Sequence, residues 1–171
     1  MSNTSKYWVL IPAAGFGARM GSAIPKQYLS LLGKTVLEHT LERWLALACI
    51  EAVVVVVAEN DPYWPTMSLK QHPKIHTVFG GLERMHSVLN GLQYLQKKAD
   101  ASDWVLVHDA ARPCVRHSDV SALMAAVKTH PVGGLLACPV RDTMKRSQAG
   151  ADSTIEVLET VQREQLWHAL T

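Results

Sequence analysis

A stretch near the N-terminus, "PAAGFGARMGSAIPKQY" at residues 12–28, combines three glycines with two cations. Gly15 and Gly17 come just after an apolar run, and Arg19 and Lys26 follow them. Glycines let backbone N–H groups approach an anion closely, while guanidinium and ammonium groups neutralise phosphate charge. The stretch therefore predicts a loop that binds phosphates.

Two commoner phosphate-binding motifs do not fit this stretch. The dinucleotide fingerprint needs a third glycine, but "GFGARM" has Met20 at that position. A Walker loop needs a glycine well before its "GKT", but that position before residues 33–35 holds Tyr28. The sequence thus disfavours a nicotinamide cofactor, and "GKT" is interpreted as a turn into the following helix.

Two later segments also carry groups that could bind a nucleotide. In "GGLERMHSV", which begins at Gly80, the paired glycines expose backbone groups able to read a base edge, and Ser87 adds a hydroxyl. In "VLVHDAARP", Asp109 lies just past an apolar run, where a carboxylate could hold Mg²⁺ beside phosphate oxygens. The alternative for Asp109 is that it caps the following turn and pairs with Arg112.

The elements that must position these segments alternate between strand and helix. Strands are predicted at 7–11, 52–58, 75–79, 104–107 and 135–140, and helices at 36–48, 85–97 and 118–129, the last with Ser118 as its N-cap. The run "VVVVV" at 53–57 is typical of a strand buried on both faces. The pattern predicts an α/β fold, an open and mostly parallel sheet with helices on both faces. Because ligands of such sheets bind outside the carboxyl ends of the strands, the three segments should converge on one site.

Residues 141–162 break this alternation. Two polar-rich arms flank a Gln-Ala-Gly-Ala-Asp turn, which predicts a β-hairpin arm that projects from the sheet and pairs with another subunit. No linker composition marks a boundary elsewhere. We therefore expect one domain over residues 1–171, with 141–162 as a dimerisation arm.

Composition excludes several classes of protein. The 171 residues carry a net charge of +2 from 17 Lys and Arg against 15 Asp and Glu, with no cationic block, so neither nucleic acid nor a membrane surface is an expected partner. The three cysteines are odd in number and form no CxxC pair, which favours a reducing compartment. With no secretory signal or apolar run of membrane-spanning length, we expect a cytoplasmic protein.

Seven motifs together resemble one family. In chain order they are "PAAGFGARM", "PKQYL", "LEHTLERW", "GGLERMHSV", "VLVHDAARP", "PVRDTMKR" and "LWHALT". This set resembles the bacterial and plastid methylerythritol phosphate cytidylyltransferases of the non-mevalonate isoprenoid pathway. The resemblance implies a Rossmann-like nucleotidyltransferase fold. It also implies transfer of a cytidylyl group from CTP to 2-C-methyl-D-erythritol 4-phosphate, with release of pyrophosphate and assistance from Mg²⁺.

The resemblance also implies roles for individual residues. Arg19 and Lys26 match the catalytic pair that stabilises charge on the α-phosphate. The positions that match nucleotide-binding residues are Ala13, Ala14, Gly15, Gly17, Gly81, Ser87 and Ala110. Asp109 matches the carboxylate near the metal and the ribose. The positions that match residues binding methylerythritol phosphate are Asp109, Thr143, Arg163 and Thr171. In the family a partner subunit supplies part of this binding site, so the resemblance implies a homodimer.

The chain departs from the family pattern at two places. Many relatives carry an acidic residue where this chain has Leu82, which leaves backbone groups to recognise the base. The family continues beyond "LWHALT", so we expect the C-terminal part of the family domain to be absent, CTP binding to be weak and turnover poor. The alternatives are a cytidylyltransferase for another polyol phosphate, such as ribitol phosphate, and a non-catalytic nucleotide-binding module.

Overall fold

The computed structural model describes residues 5–15, 24–150, 152 and 154–170. The chain divides into two compact units, a first unit of residues 1–120 and a second unit of residues 121–171. The expectation of a single nucleotidyltransferase domain over residues 1–171 stays a prediction.

The first unit contains most of the regular structure. Its elements are β1 (Tyr7–Pro12), β2 (Ser30–Leu31), β3 (Lys34–Thr35), α1 (Val36–Leu45), β4 (Ile50–Val57), β5 (Ile75–Phe79), α2 (Arg84–Leu95), β6 (Trp104–Val107) and the start of α3 (His117–Val127). Short 3-10 helices lie at Lys26–Tyr28, Trp64–Thr66 and Ser68–Gln71. The predicted strands at 75–79 and 104–107 are confirmed residue for residue, and the others of this unit within two residues.

Strands β1, β4, β5 and β6 form one parallel sheet in the order β5-β4-β1-β6. The chain leaves β1 for β4 on one side, and later returns to place β6 on the other side of β1. The order therefore reverses at β1, and the carboxyl ends of β1 and β6 lie side by side. Ligands of open α/β sheets bind at such a switch point.

The core follows from the run of five valines in β4. Val54 and Val56 pack with Trp8 and Leu10 of β1 and with Leu95 of α2. Val53, Val55 and Val57 point the other way and are also fully buried, and α1 contacts β4. β4 is thus covered on both faces, as the absence of polar alternation predicts.

Helix α1 begins where the "GKT" sequence predicts a turn. Gly33 takes φ +83° between β2 and β3, a conformation that suits glycine. Thr35 then caps α1: its Oγ1 accepts from the Glu38 N–H, and the Glu38 side chain accepts from the Thr35 N–H. The helix ends at Leu45, three residues before the predicted end.

Helix α3 begins at His117, so the prediction that Ser118 is its N-cap is wrong. The first helical carbonyl is that of Arg116, which accepts from the N–H groups of Asp119 and Val120. His117 Nε2 also bonds to the carbonyl of Arg43 at 2.7 Å. This contact between residues distant in sequence ties the first residue of α3 to α1.

The second unit is built from two antiparallel pairs. Its strands are β7 (Ala137–Pro139), β8 (Met144–Ala149), β9 (Ile155–Val161) and β10 (Trp167–Ala169). β8 pairs with β9, which confirms a hairpin within residues 141–162, while its role in dimerisation stays a prediction. β7 is shorter than the predicted strand at 135–140 and pairs with β10. Among the described residues, no helix is long and apolar enough to cross a membrane.

Candidate active site

A cavity of about 320 Å³ opens at the carboxyl ends of β1 and β6. Its lining comes from the three segments that the sequence singles out: Pro12, Ala13, Ala14, Gly15, Lys26, Gln27, Gly81, Leu82, Glu83, Arg84, Ser87, Asp109, Ala110 and Ala111. The predicted convergence of these segments is confirmed. The cavity lies at the switch point of the sheet order, where β1 and β6 are neighbours.

The backbone that follows β1 forms one wall. Ala13 continues the strand, because its N–H donates to the Val56 carbonyl at 2.7 Å. The buried side chain of Gln27 then donates both amide hydrogens, to the carbonyls of Ala13 at 2.8 Å and Gly15 at 3.0 Å. Within the described residues, the N–H groups of Ala14 and Gly15 have no acceptor. This wall therefore offers two amide donors to an anion in the cavity.

The 3-10 helix at Lys26–Tyr28 brings Lys26 to the cavity. Tyr28 is buried, stacks on Tyr63, and donates its hydroxyl to Asp61 Oδ2 at 2.6 Å. Burial and the Asp61 carboxylate both raise the pKa of Tyr28, so the phenol stays protonated as the donor. The turn that carries Lys26 is thus anchored to the loop after β4.

The segment after β5 forms a second wall. Ser87 is almost fully buried; its Oγ accepts from the Gly81 N–H and donates to the Glu83 carbonyl, both at 3.3 Å. A Cβ on Gly80 would lie 2.5 Å from Ser87 Oγ and 2.7 Å from Ala14 Cβ. The glycine therefore allows two walls of the cavity to approach closely, while Leu82 is fully exposed at the cavity lining.

Asp109 lies between two arginines at the end of β6. Arg84 donates to its Oδ1 at 2.8 Å and Arg112 to its Oδ2 at 3.0 Å. Burial alone would raise the pKa of Asp109, but the hydrogen bonds and charges of both arginines outweigh it and hold this pKa below its usual value. The sequence-based alternative of an Asp109–Arg112 pair is confirmed, and the carboxylate is fixed in its ionised form.

Two buried side chains support the Asp109–Ala111 backbone. His108 packs edge-on against Trp44, and its Nε2 bonds to the Arg112 carbonyl at 2.9 Å. Burial is the main reason that the pKa of His108 lies below its usual value, so the ring is neutral and donates through Nε2. Thr40 of α1 donates its hydroxyl to the Ala110 carbonyl at 2.9 Å.

The remaining predicted site residues fall either outside the described residues or in the second unit. Gly17, Arg19 and Thr171 fall outside the described residues. Thr143 and Arg163 belong to the second unit, where both are exposed and Arg163 donates to the Arg141 carbonyl.

The structure adds two residues that the sequence-based list lacks. Gln27 holds the wall after β1, and Arg84 binds Asp109 from across the cavity. For Gln27 the available signal was the adjacent Lys26, and for Arg84 it was its place between Gly81 and Ser87, two candidate site residues.

Comparison with known proteins identifies the family to which this site belongs. Residues 7–171 match the family model of 2-C-methyl-D-erythritol 4-phosphate cytidylyltransferase. The chain belongs to this family. Membership makes the protein an enzyme of the nucleotidyltransferase class.

Individual members of the cytidylyltransferase family agree with the assignment. The chain is 54% identical over 162 residues to the 2-C-methyl-D-erythritol 4-phosphate cytidylyltransferase of Vibrio vulnificus. The aligned region covers 95% of this chain and 67% of the relative. A crystal structure of a 4-diphosphocytidyl-2C-methyl-D-erythritol synthase superposes with a TM-score of 0.82 at 34% identity, covering 98% of this chain and 73% of that one.

A further cytidylyltransferase structure, from Francisella tularensis, has a TM-score of 0.80 at 35% identity and covers 98% of this chain and 70% of that one. The fold is therefore the Rossmann-like nucleotidyltransferase fold that the resemblance implies.

Proposed function

We propose that this chain transfers a cytidylyl group from CTP to 2-C-methyl-D-erythritol 4-phosphate. The products are 4-diphosphocytidyl-2-C-methyl-D-erythritol and pyrophosphate. The observation that carries the proposal is the cavity itself. In a member of the cytidylyltransferase family, the Ala13–Gly15 backbone, Lys26 and Asp109 line one cavity at the switch point of a parallel sheet.

The reaction needs positioning and charge stabilisation more than acid–base chemistry. An oxygen of the substrate phosphate, already anionic at neutral pH, attacks the α-phosphorus of CTP, and the bond from that phosphorus to the bridging oxygen of pyrophosphate breaks. We assign Lys26, which lines the cavity, to stabilise the negative charge that develops, and the Ala14 and Gly15 amides to hold the phosphates. Arg19 is the second cation that we assign to this role.

The wall after β5 suits the cytidine end of CTP. Gly81, Ser87 and Ala110 line the cavity, and the Ser87 hydroxyl fixes the Gly81 backbone by its hydrogen bond. We assign these residues to the nucleoside, so that the base is read by backbone groups and the fully exposed Leu82 contributes apolar contact only.

Mg²⁺ is the cofactor that we assign to the reaction. Asp109 is its proposed protein ligand, because the carboxylate is ionised and lines the same cavity as the proposed phosphate site. Within the described residues no group of three or more His, Cys, Asp or Glu side chains could hold a metal, so phosphate oxygens would supply most of the ligands. When bound, Mg²⁺ supplies neutralisation of phosphate charge.

The second substrate and the quaternary state complete the proposal. We assign Thr143, Arg163 and Thr171 to the methylerythritol phosphate, and the β8–β9 hairpin to contact with a second copy of the chain in a homodimer. The three cysteines, Cys49, Cys114 and Cys138, are all free and exposed, which supports a cytoplasmic location.

Pyrophosphate release tests this function. The chain is incubated with CTP and Mg²⁺, with and without 2-C-methyl-D-erythritol 4-phosphate, and with ribitol phosphate in a parallel reaction. Release that depends on the methylerythritol phosphate supports the proposal. Release that depends on ribitol phosphate instead would assign another polyol substrate, and CTP binding with no release from either would indicate a nucleotide-binding module.

A further inference from the structure

The Gln27 side chain makes two hydrogen bonds that have no role in the reaction described above. It is only 4% exposed, although it neighbours Lys26 at the cavity lining. Its amide nitrogen lies 2.8 Å from the Ala13 carbonyl oxygen and 3.0 Å from the Gly15 carbonyl oxygen. Two carbonyl acceptors require the NH₂ end of the side chain to face the loop, so the amide has one defined orientation.

The bond to the Ala13 carbonyl determines where a neighbouring backbone donor points. In a trans peptide the C=O and N–H groups point in opposite directions. Holding the Ala13 carbonyl therefore fixes the direction of the Ala14 N–H, which belongs to the same peptide group. That N–H, like the N–H of Gly15, has no acceptor among the described residues, and both residues line the cavity.

Gln27 is itself held in place by its neighbours. It lies in the 3-10 helix at Lys26–Tyr28, which the Tyr28 hydroxyl ties to Asp61 at 2.6 Å. Asp61 in turn accepts from the N–H groups of Tyr63 and Trp64 through Oδ1. The loop after β1 is therefore bonded to the side chain of Gln27, and the backbone of Gln27 is held in place by the bond between Tyr28 and Asp61.

We propose that Gln27 is a positioning residue, which aims the Ala14 N–H of the loop after β1 at the triphosphate of the nucleotide. It acts through the backbone and brings no charge, unlike the adjacent Lys26. The inference rests on the proposed function, since it names the part of CTP that this wall binds.

A comparison of CTP with CMP tests this role, because the two share the cytidine and differ in the triphosphate. Affinities for each nucleotide with Mg²⁺ are measured by calorimetry on the wild-type chain and on Gln27→Met, which keeps the length of the side chain and removes both hydrogen bonds. We expect CTP affinity to fall about tenfold or more and CMP affinity to change less than about twofold.

Thr77→Val is the matched control for a lost hydrogen bond. It removes the acceptor of Trp64 Nε1, 3.0 Å away, and Thr77 is not part of the cavity lining. Its melting temperature should fall while its CTP and CMP affinities stay at the wild-type values. A Gln27→Met chain that binds both nucleotides as the wild type does, or that loses both equally, would overturn the positioning role.

A second variant covers a failure of Gln27→Met to fold. Gln27→Asn keeps the amide but is one carbon shorter, so it should reach one carbonyl at most and lower the CTP-to-CMP affinity ratio by a smaller factor. An unchanged ratio in this folded variant would count against the proposal. If the wild-type chain binds no CTP, the proposed function itself is overturned. If the wild-type chain binds CTP and the Gln27 variants keep its CTP-to-CMP affinity ratio, only the Gln27 role is overturned.

Discussion

The Arg84 guanidinium lies 2.8 Å from Oδ1 of Asp109, across 25 positions of the chain. The pair joins the first residue of α2 to the loop after β6, and so connects two walls of the cavity. Both side chains are partly exposed to solvent, so the pair contributes about 1 kcal/mol at most to stability. Its greater effect is to fix the position and charge of a carboxylate.

The first prediction concerns acid stability. The pKa of Asp109 is lowered in the folded chain, so its ion pairs stabilise the fold above the unfolded value of 3.8 and are lost as pH falls through the lower folded value. Asp109→Asn should cost about 1 kcal/mol of unfolding free energy at neutral pH. Urea unfolding along a pH series should show this difference shrinking below about pH 4, and a constant difference would contradict the assignment.

His108 gives a prediction in a different pH window. Its pKa is lowered in the folded chain, so below its unfolded value of 6.5 the unfolded state takes up a proton that the folded state does not. Wild-type stability should therefore decrease as pH falls from about 8 to about 5, and less so for His108→Gln, which keeps an N–H donor. His39→Gln is the control, because the ring of His39 makes a solvent-exposed hydrogen bond.

Removal of the Lys26 ammonium should slow the reaction without unfolding the chain. By comparison with the loss of one donor to a developing oxyanion, Lys26→Ala should lose about 3 kcal/mol of transition-state stabilisation, measured as kcat/KM. Lys34→Ala is the matched control, since Lys34 lies on β3 away from the cavity lining. Near-normal turnover of Lys26→Ala would refute the catalytic role.

Gly15, which lines the cavity, and Gly80, which lies next to the lining residue Gly81, should respond differently to alanine. Gly80→Ala places a Cβ 2.5 Å from Ser87 Oγ and 2.7 Å from Ala14 Cβ, so we expect a loss of about 1–3 kcal/mol of stability. Among the described residues, a Cβ on Gly15 meets nothing within 4 Å, so Gly15→Ala should melt at the wild-type temperature while binding CTP more weakly. Thermal melts and CTP titration of both variants check this contrast, and equal destabilisation would contradict it.

The parallel sheet and the convergence of its loops could be predicted because they depend on local patterns. The run at 53–57 is apolar without alternation, and strands with such runs are buried in parallel sheets. Glycines and charged residues just past three strands then indicate one site, since parallel strands end at the same edge.

Other features depend on contacts that no local pattern encodes. Gln27 bonds to Ala13 and Gly15, which lie 14 and 12 positions before it, and His117 at the start of α3 bonds to Arg43 of α1. Asp109 could be predicted to lie at the candidate site, but its bond to Arg84 across 25 positions could not. Sequence spacing indicates partners a few residues apart, whereas these partners are set by tertiary packing.

The position of β6 beside β1 has a consequence for the synthesis of the chain. As the protein leaves the ribosome, β1, β4 and β5 emerge first and can pair with one another, but one edge of β1 then has unpaired backbone groups. β6 fills that edge and carries Asp109 to the cavity in the same step. Until β6 has left the ribosome, β1 therefore presents an edge with which another strand could pair, and the cavity lacks the wall formed by Asp109, Ala110 and Ala111.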